Sequence, residues 1–155
     1  KKQDAIDDFT SRFDLDYVTD TLEFSNYVAK NFRIGERTIL QGNMYGFIEP
    51  MEATAVGMYH KLCKCAWDGI FANDTFDNCN KIIKTNVKQL ENIILWHYQF
   101  GSKFDTPFWK YAKSLPFNPD QKFYEVIKGN LDEDEEYGQW KTWNFDNWRL
   151  GNELV

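Results

Sequence analysis

Histidine and cysteine are scarce in this chain, basic charge is short, and no apolar run reaches the length of a membrane span. The three cysteines, Cys63, Cys65 and Cys79, are an odd set without framework spacing, which excludes a disulfide scaffold and reads as reduced thiols in a cytosolic setting. Cys63-Lys64-Cys65 puts two thiols one residue apart with no second ligand pair, so it lacks the spacing of a zinc site. Eighteen basic side chains against 24 acidic ones leave a net charge of -6, the opposite of what a phosphate-backbone binder carries. No signal-peptide pattern opens the chain and no internal repeat runs through it. The sequence opens at Lys1 without methionine, in a polar stretch close to helical pattern, and is expected to be a piece of a longer protein.

Aromatic residues are abundant instead. They make up 17% of the 155 residues, with thirteen Phe and six Trp, and hydrophobic residues reach 43%, enough for one compact domain with a real core. Asp4 to Phe13 reads as a short amphipathic helix on Ile6, Phe9 and Phe13. Leu15 to Phe24 alternates imperfectly as a strand, and Arg37 to Leu40 reads as a shorter, more apolar one, followed by a loop from Asn43 to Met51. Val56, Tyr59, Leu62, Cys63, Ala66, Trp67 and Ile70 recur at helical spacing over Ala53 to Phe71. A longer helix spans Thr75 to Phe100, with Ile83, Val87, Leu90, Ile94 and His97 as its apolar stripe and Gly101 as its stop. His97 therefore reads as a core histidine. Asp105 is expected to cap a third helix with Pro107 just inside it, and Pro119 to open a fourth, to about Lys128. Beyond Gly129 lies an acidic run and then Trp140, Trp143 and Trp148, which either stack an aromatic ligand or cover the core.

The stretch Gly42-Asn43-Met44-Tyr45-Gly46-Phe47-Ile48-Glu49-Pro50-Met51-Glu52-Ala53-Thr54 concentrates the chemistry. It runs from a strand through a turn into a helix. A helix starting near Ala53 leaves its first N–H groups without internal partners, and its dipole is positive at that end. Thr54 and Ala55 would aim two such donors at the space before the helix, where a small anion is the natural occupant unless water or a side chain caps them. Glu52 is either a first-turn carboxylate favoured by the dipole or a polar group facing a reaction space, and Glu49 a local cap or partner. Gly42 and Gly46 would admit a flat ring or a phosphate-bearing chain close to the backbone.

Gly46 to Thr54 closely resembles the glycine-phenylalanine-x-glutamate-proline-leucine-glutamate-serine-threonine segment of flavin-dependent tryptophan halogenases. Leu95-Trp96-His97-Tyr98 followed by Asp105-Thr106-Pro107-Phe108-Trp109 is similar to that family's downstream helix and aspartate-threonine-proline-phenylalanine-tryptophan signature. Asn26 to Lys30 and Thr38 to Gly42 resemble the approach to the loop, so the likeness spans about residues 15 to 115. It implies that reduced FAD and oxygen convert a halide to hypohalous acid, which halogenates an electron-rich aromatic ring by way of a lysine. By the same resemblance Glu52 is the active-site glutamate, the Thr54 and Ala55 amides hold halide, and the backbone of Asn43 and Val56 lies against FAD. The chain departs from the family at Ala53, where serine is usual, and at Ala55, where glycine is usual. It also contains no glycine-rich dinucleotide fingerprint, no tryptophan-x-tryptophan signature and no candidate for the reactive lysine, all upstream features of the family.

The expectation is thus an α+β, mostly helical chain: the C-terminal part of an FAD-dependent monooxygenase-like α/β fold, with residues 1–56 ending the FAD-binding domain and residues 57–155 forming a helical substrate-side domain. Its expected function is flavin-dependent halogenation of tryptophan or another indole or phenol, by a fragment inactive alone. The implied cofactors are FAD, reduced by a flavin reductase, a halide ion and O2. The implied partners are a small aromatic substrate, that reductase and the missing N-terminal FAD-binding portion, with no metal, nucleic acid or membrane, in the cytoplasm. A flavin monooxygenase without halogenation and a non-catalytic helical binding module are the alternatives.

Overall fold

A computed structural model describes residues 2–18, 20, 25–48, 53–72, 75–130, 132 and 135–151. Six α-helices dominate: α1 (Lys2–Phe13), α2 (Thr54–Phe71), α3 (Phe76–Phe100), α4 (Pro107–Ser114), α5 (Gln121–Ile127) and α6 (Thr142–Gly151). Four two-residue strands, β1 (Tyr27–Val28), β2 (Arg33–Ile34), β3 (Thr38–Ile39) and β4 (Gly46–Phe47), lie between α1 and α2, with a 3₁₀ turn at Gly42–Met44. β1 pairs antiparallel with β4 (Tyr27 with Phe47, Val28 with Gly46), and β2 with β3 (Arg33 with Ile39, Ile34 with Thr38). This is the expected mostly helical α+β content.

The α2–α3 hairpin is the frame. Thr75 caps α3, its hydroxyl accepting from the Asn78 amide at 3.1 Å, which satisfies one of the amides that a helix start leaves open. At the other end the Gly101 amide donates to the His97 carbonyl at 2.8 Å. Between them Ile83, Val87, Leu90 and Ile94 are buried, as the periodicity predicts, together with Ile93 and Trp96. Each such side chain contributes about 1.5–3 kcal/mol of transfer free energy. The end of α2 meets the start of α3: the Cys79 thiol donates to the Cys65 carbonyl at 3.3 Å.

Several expectations are corrected. No strand occupies residues 15–18 or 20, and residues 19 and 21–24 lie outside the described residues. Asp14 instead takes the left-handed conformation (φ 51°) and the Leu15 amide donates to the Thr10 carbonyl at 3.0 Å, so this segment is the C-terminal cap of α1. The loop expected over residues 43–51 contains β4, drawn into register by β1. On α2 the buried face is Thr54, Met58, Leu62 and Cys65, whereas Val56 and Trp67 stand 65% and 63% exposed. Thr106, not Asp105, is the N-cap residue of α4, and Asp105 pairs with Lys110 at 3.2 Å. α5 opens after Asp120, whose Oδ1 accepts from the Phe123 amide at 2.8 Å, rather than at Pro119.

The tail is the largest departure. Tyr137–Trp140 forms a tight turn, each amide donating to the other's carbonyl. Then α6 follows, with Asn144 Oδ1 accepting from the Lys141 amide at 3.0 Å, one half of a capping box. The turn is clamped onto the hairpin. The Gly138 carbonyl accepts from Lys61 Nζ (3.0 Å) and Asn86 Nδ2 (2.8 Å), and its amide donates to Gln89 Oε1 (2.9 Å). Trp140 and Phe145 are buried, and Trp148 stacks on Trp96 with ring centroids 3.8 Å apart, so the core-covering reading of two of these tryptophans holds.

Candidate functional site

α2 begins at Thr54, as the sequence predicts, and the residue before it is unusual. Ala53 is the N-cap residue in left-handed geometry (φ 56°, ψ 27°), and alanine has no side-chain acceptor with which to cap the helix. Eighteen residues of α2 align their peptide dipoles behind that end, which carries roughly half a positive charge. Thr54 is buried in the first turn, Ala55 is half-buried and Val56 faces outward. Glu49, Pro50 and Glu52 lie outside the described residues, so the glutamate expected to act there has no structural description.

Asn43 sits in the 3₁₀ turn, exposed, directly after Gly42, whose φ of +54° suits glycine and around which a Cβ would meet nothing within 4 Å. Two phenols converge on Asn43. Tyr27 donates its hydroxyl to the Asn43 backbone carbonyl, and Tyr59, on α2, donates to Asn43 Oδ1 with the Gly46 carbonyl 3.3 Å away. Sequence reasoning gave neither tyrosine a role, since Tyr27 entered only as part of the Asn26–Lys30 approach to the loop and Tyr59 only as part of the helical pattern. Tyr45, two residues after Asn43, is fully buried, and its hydroxyl has no hydrogen-bond partner among the described residues. Burial raises its pKa.

The tail brings a second feature to the same end of the hairpin. A Cβ on Gly57, in the first turns of α2, would fall on the Gln139 carboxamide, so the Tyr137–Trp140 turn packs close to the helix start. From that turn an aromatic cleft of about 310 Å³ opens, lined by Trp140, Trp143, Asn144, Asn147 and Trp148. His97 packs edge-on against two of its walls, Trp140 and Trp148, at 4.8 and 5.1 Å, with Nδ1 2.9 Å from the Ile93 carbonyl. This is a core histidine. His60 is exposed, as is Cys63, while Cys65 and Cys79 are buried free thiols. Among the described residues no group of three or more His, Cys, Asp or Glu could hold a metal ion, and no helix is long and apolar enough to cross a membrane.

A family model described as tryptophan halogenase matches residues 1–150. The chain belongs to the tryptophan halogenase family. No individual curated protein matches it. Membership places the chain, at family level, with halogenating oxidoreductases. A flavin or halide bound here would meet three features of the residues present. The N-cap of α2 supplies no competing acceptor, the backbone at Gly42 is open on the side a Cβ would occupy, and Asn43 and Val56 are both exposed. These donors suit acceptor atoms and anions.

Proposed function

We propose that this tryptophan halogenase family chain is the C-terminal portion of a flavin-dependent halogenase, using reduced FAD from a flavin reductase, O2 and a halide ion to halogenate an electron-rich aromatic ring. Reduced FAD, when bound, supplies the oxygen activation. The Thr54 and Ala55 amides hold the halide at the positive end of α2, and the turn around Asn43 together with Val56 lies against the cofactor. Glu52, which stands two residues before Thr54 in the sequence, orients the oxidant or stabilises positive charge developing on the substrate. The helical part, residues 57–155, is the substrate side. The aromatic cleft at the same end of the hairpin supports that assignment, because indole faces favour a flat ring and the carboxamides of Asn144 and Asn147 fix its polar edge. The family's upstream FAD-binding portion completes the site, so the chain is inactive alone.

The observation that carries this reading is the tryptophan halogenase family match over residues 1–150, together with the start of α2 at Thr54. The test uses the intact enzyme that contains this chain, with reduced FAD, oxygen and bromide or chloride, and a panel of indoles and phenols read by mass shift. A halogenated product that disappears in Glu52→Gln is expected. Hydroxylated product in its place would establish the monooxygenase alternative, and FAD bound with no product on any substrate would overturn the halogenase reading.

A further inference from the structure

We propose that the Tyr59 hydroxyl holds the Asn43 carboxamide in one orientation, on a turn that Tyr27 fixes through the Asn43 backbone carbonyl, with its Nδ2 amide turned outward to donate to an acceptor atom of the bound flavin. The inference rests on the flavin reading above and extends it, since there Asn43 meets the cofactor through its backbone alone.

A phenol hydroxyl has a single proton, and a carbonyl oxygen only accepts. Tyr27 gives its proton to the Asn43 backbone carbonyl, which fixes the turn. Tyr59 faces two acceptors, Asn43 Oδ1 and the Gly46 carbonyl at 3.3 Å, and the nearer Oδ1 takes the proton. With Oδ1 turned in to accept from Tyr59, the two Nδ2 protons are the side-chain donors left to Asn43, and the residue is exposed. Burial, and secondarily the neighbouring Tyr27, raises the Tyr59 pKa, so its proton stays in place through the neutral range.

The backbone is shaped to bring these groups together. A Cβ on Gly46 would stand 2.9 Å from the Tyr27 carbonyl and 3.3 Å from Val28 Cα, so β1 can lie this close to β4 only beside glycine. That approach puts Tyr27 under the turn. Tyr59 stands five residues into α2, roughly 7.5 Å along its axis from Thr54. The carboxamide is thereby tied to α2. The outward Nδ2 of Asn43 presents donors, which selects ring carbonyls, ring nitrogens or phosphate oxygens over cationic or donor-rich ligands. Without the Tyr59 phenol the carboxamide is free to flip and offer an acceptor instead.

The test measures FAD affinity, by quenching of flavin fluorescence, in the intact enzyme that contains this chain. Tyr59→Phe and Asn43→Ala should each raise Kd roughly five- to tenfold, the scale of one lost hydrogen bond. Tyr27→Phe should act in the same direction. In an Asn43→Ala background, Tyr59→Phe should change Kd less than twofold, because its effect runs through Asn43; a purely structural role would keep its full size there. Tyr59→Phe leaving Kd unchanged, or acting at full size without Asn43, would overturn the inference while leaving the halogenase reading intact. Failure of the unmodified enzyme to bind FAD would remove both.

Discussion

The Tyr137 hydroxyl is predicted to hold the tail to the rest of the chain, and Tyr137→Phe tests it. Tyr137 is fully buried; its hydroxyl accepts from Asn92 Nδ2 at 2.7 Å and donates to Asp120 Oδ2 at 3.0 Å. The two partners differ in what they lose. Asp120 is exposed, so its freed oxygen returns to water while its other oxygen continues to cap α5. Asn92 is 1% exposed on α3, and its amide would be left as a buried donor without an acceptor. Such a group costs about 1–3 kcal/mol, so the variant should lose about 2 kcal/mol and its Tm should fall by about 4–8 °C. Urea denaturation at neutral pH gives the free energy directly, with an unchanged m-value showing that compactness is retained. Asn92→Leu removes the donor, so Asn92→Leu/Tyr137→Phe should be more stable than the sum of the single losses by about 1 kcal/mol or more. A loss below about 0.5 kcal/mol in Tyr137→Phe, or strict additivity in the double variant, would refute the account.

Burial first, and the Asp120 carboxylate second, raise the Tyr137 pKa in the folded chain above its ordinary value of 10.0. The unfolded chain therefore ionises this group first. Its contribution is fully present below about pH 10 and drains away as pH rises above that value, so Tyr137→Phe should lose stability less steeply between neutral pH and pH 11 in a denaturation series. Two glycines should separate by their surroundings. Gly138→Ala would put a Cβ 3.0 Å from both Ile93 Cδ1 and Leu90 Cδ2 at a φ of +67°, costing about 2–4 kcal/mol, whereas Gly57→Ala displaces only the flexible Gln139 carboxamide and gains helix propensity, staying within about 1 kcal/mol of the parent by the same denaturation measurement. Thiol titration of the native chain should find one fast cysteine, Cys63, and release Cys65 and Cys79 only in denaturant; three fast thiols at once would contradict the burial of the α2–α3 contact.

What could be read in the sequence was local. α3 announced itself because its apolar period, its threonine cap and its terminal glycine agree over 25 residues. α2 was equally legible as a helix but not as a face: apolar residues lie all round it, so periodicity could not tell that Met58 and Leu62 turn inward while Val56 and Trp67 turn out. The Tyr137–Trp140 turn had no local signal, because the bonds that hold Gly138 come from residues 49 to 77 positions away. α6 went unread for a similar reason. Its Trp148 sits among polar residues in sequence and is drawn against the core by Trp96 and His97 on α3, while Trp143 stays exposed.

The candidate site divides along the same line. The start of α2 at Thr54 is local backbone chemistry and was legible in the sequence. The setting of Asn43 depends instead on its being met by Tyr27 from one side and Tyr59 from the other, each sixteen residues away. No period or cap rule reaches across that separation. The family motif therefore marks the loop, while the residues that orient the loop lie outside the motif, on a strand and a helix whose own patterns report only packing. Substitutions at Tyr27 and Tyr59 would leave the Gly46–Thr54 signature intact and still alter what Asn43 presents, so on the flavin reading proposed above FAD affinity should change while the signature does not.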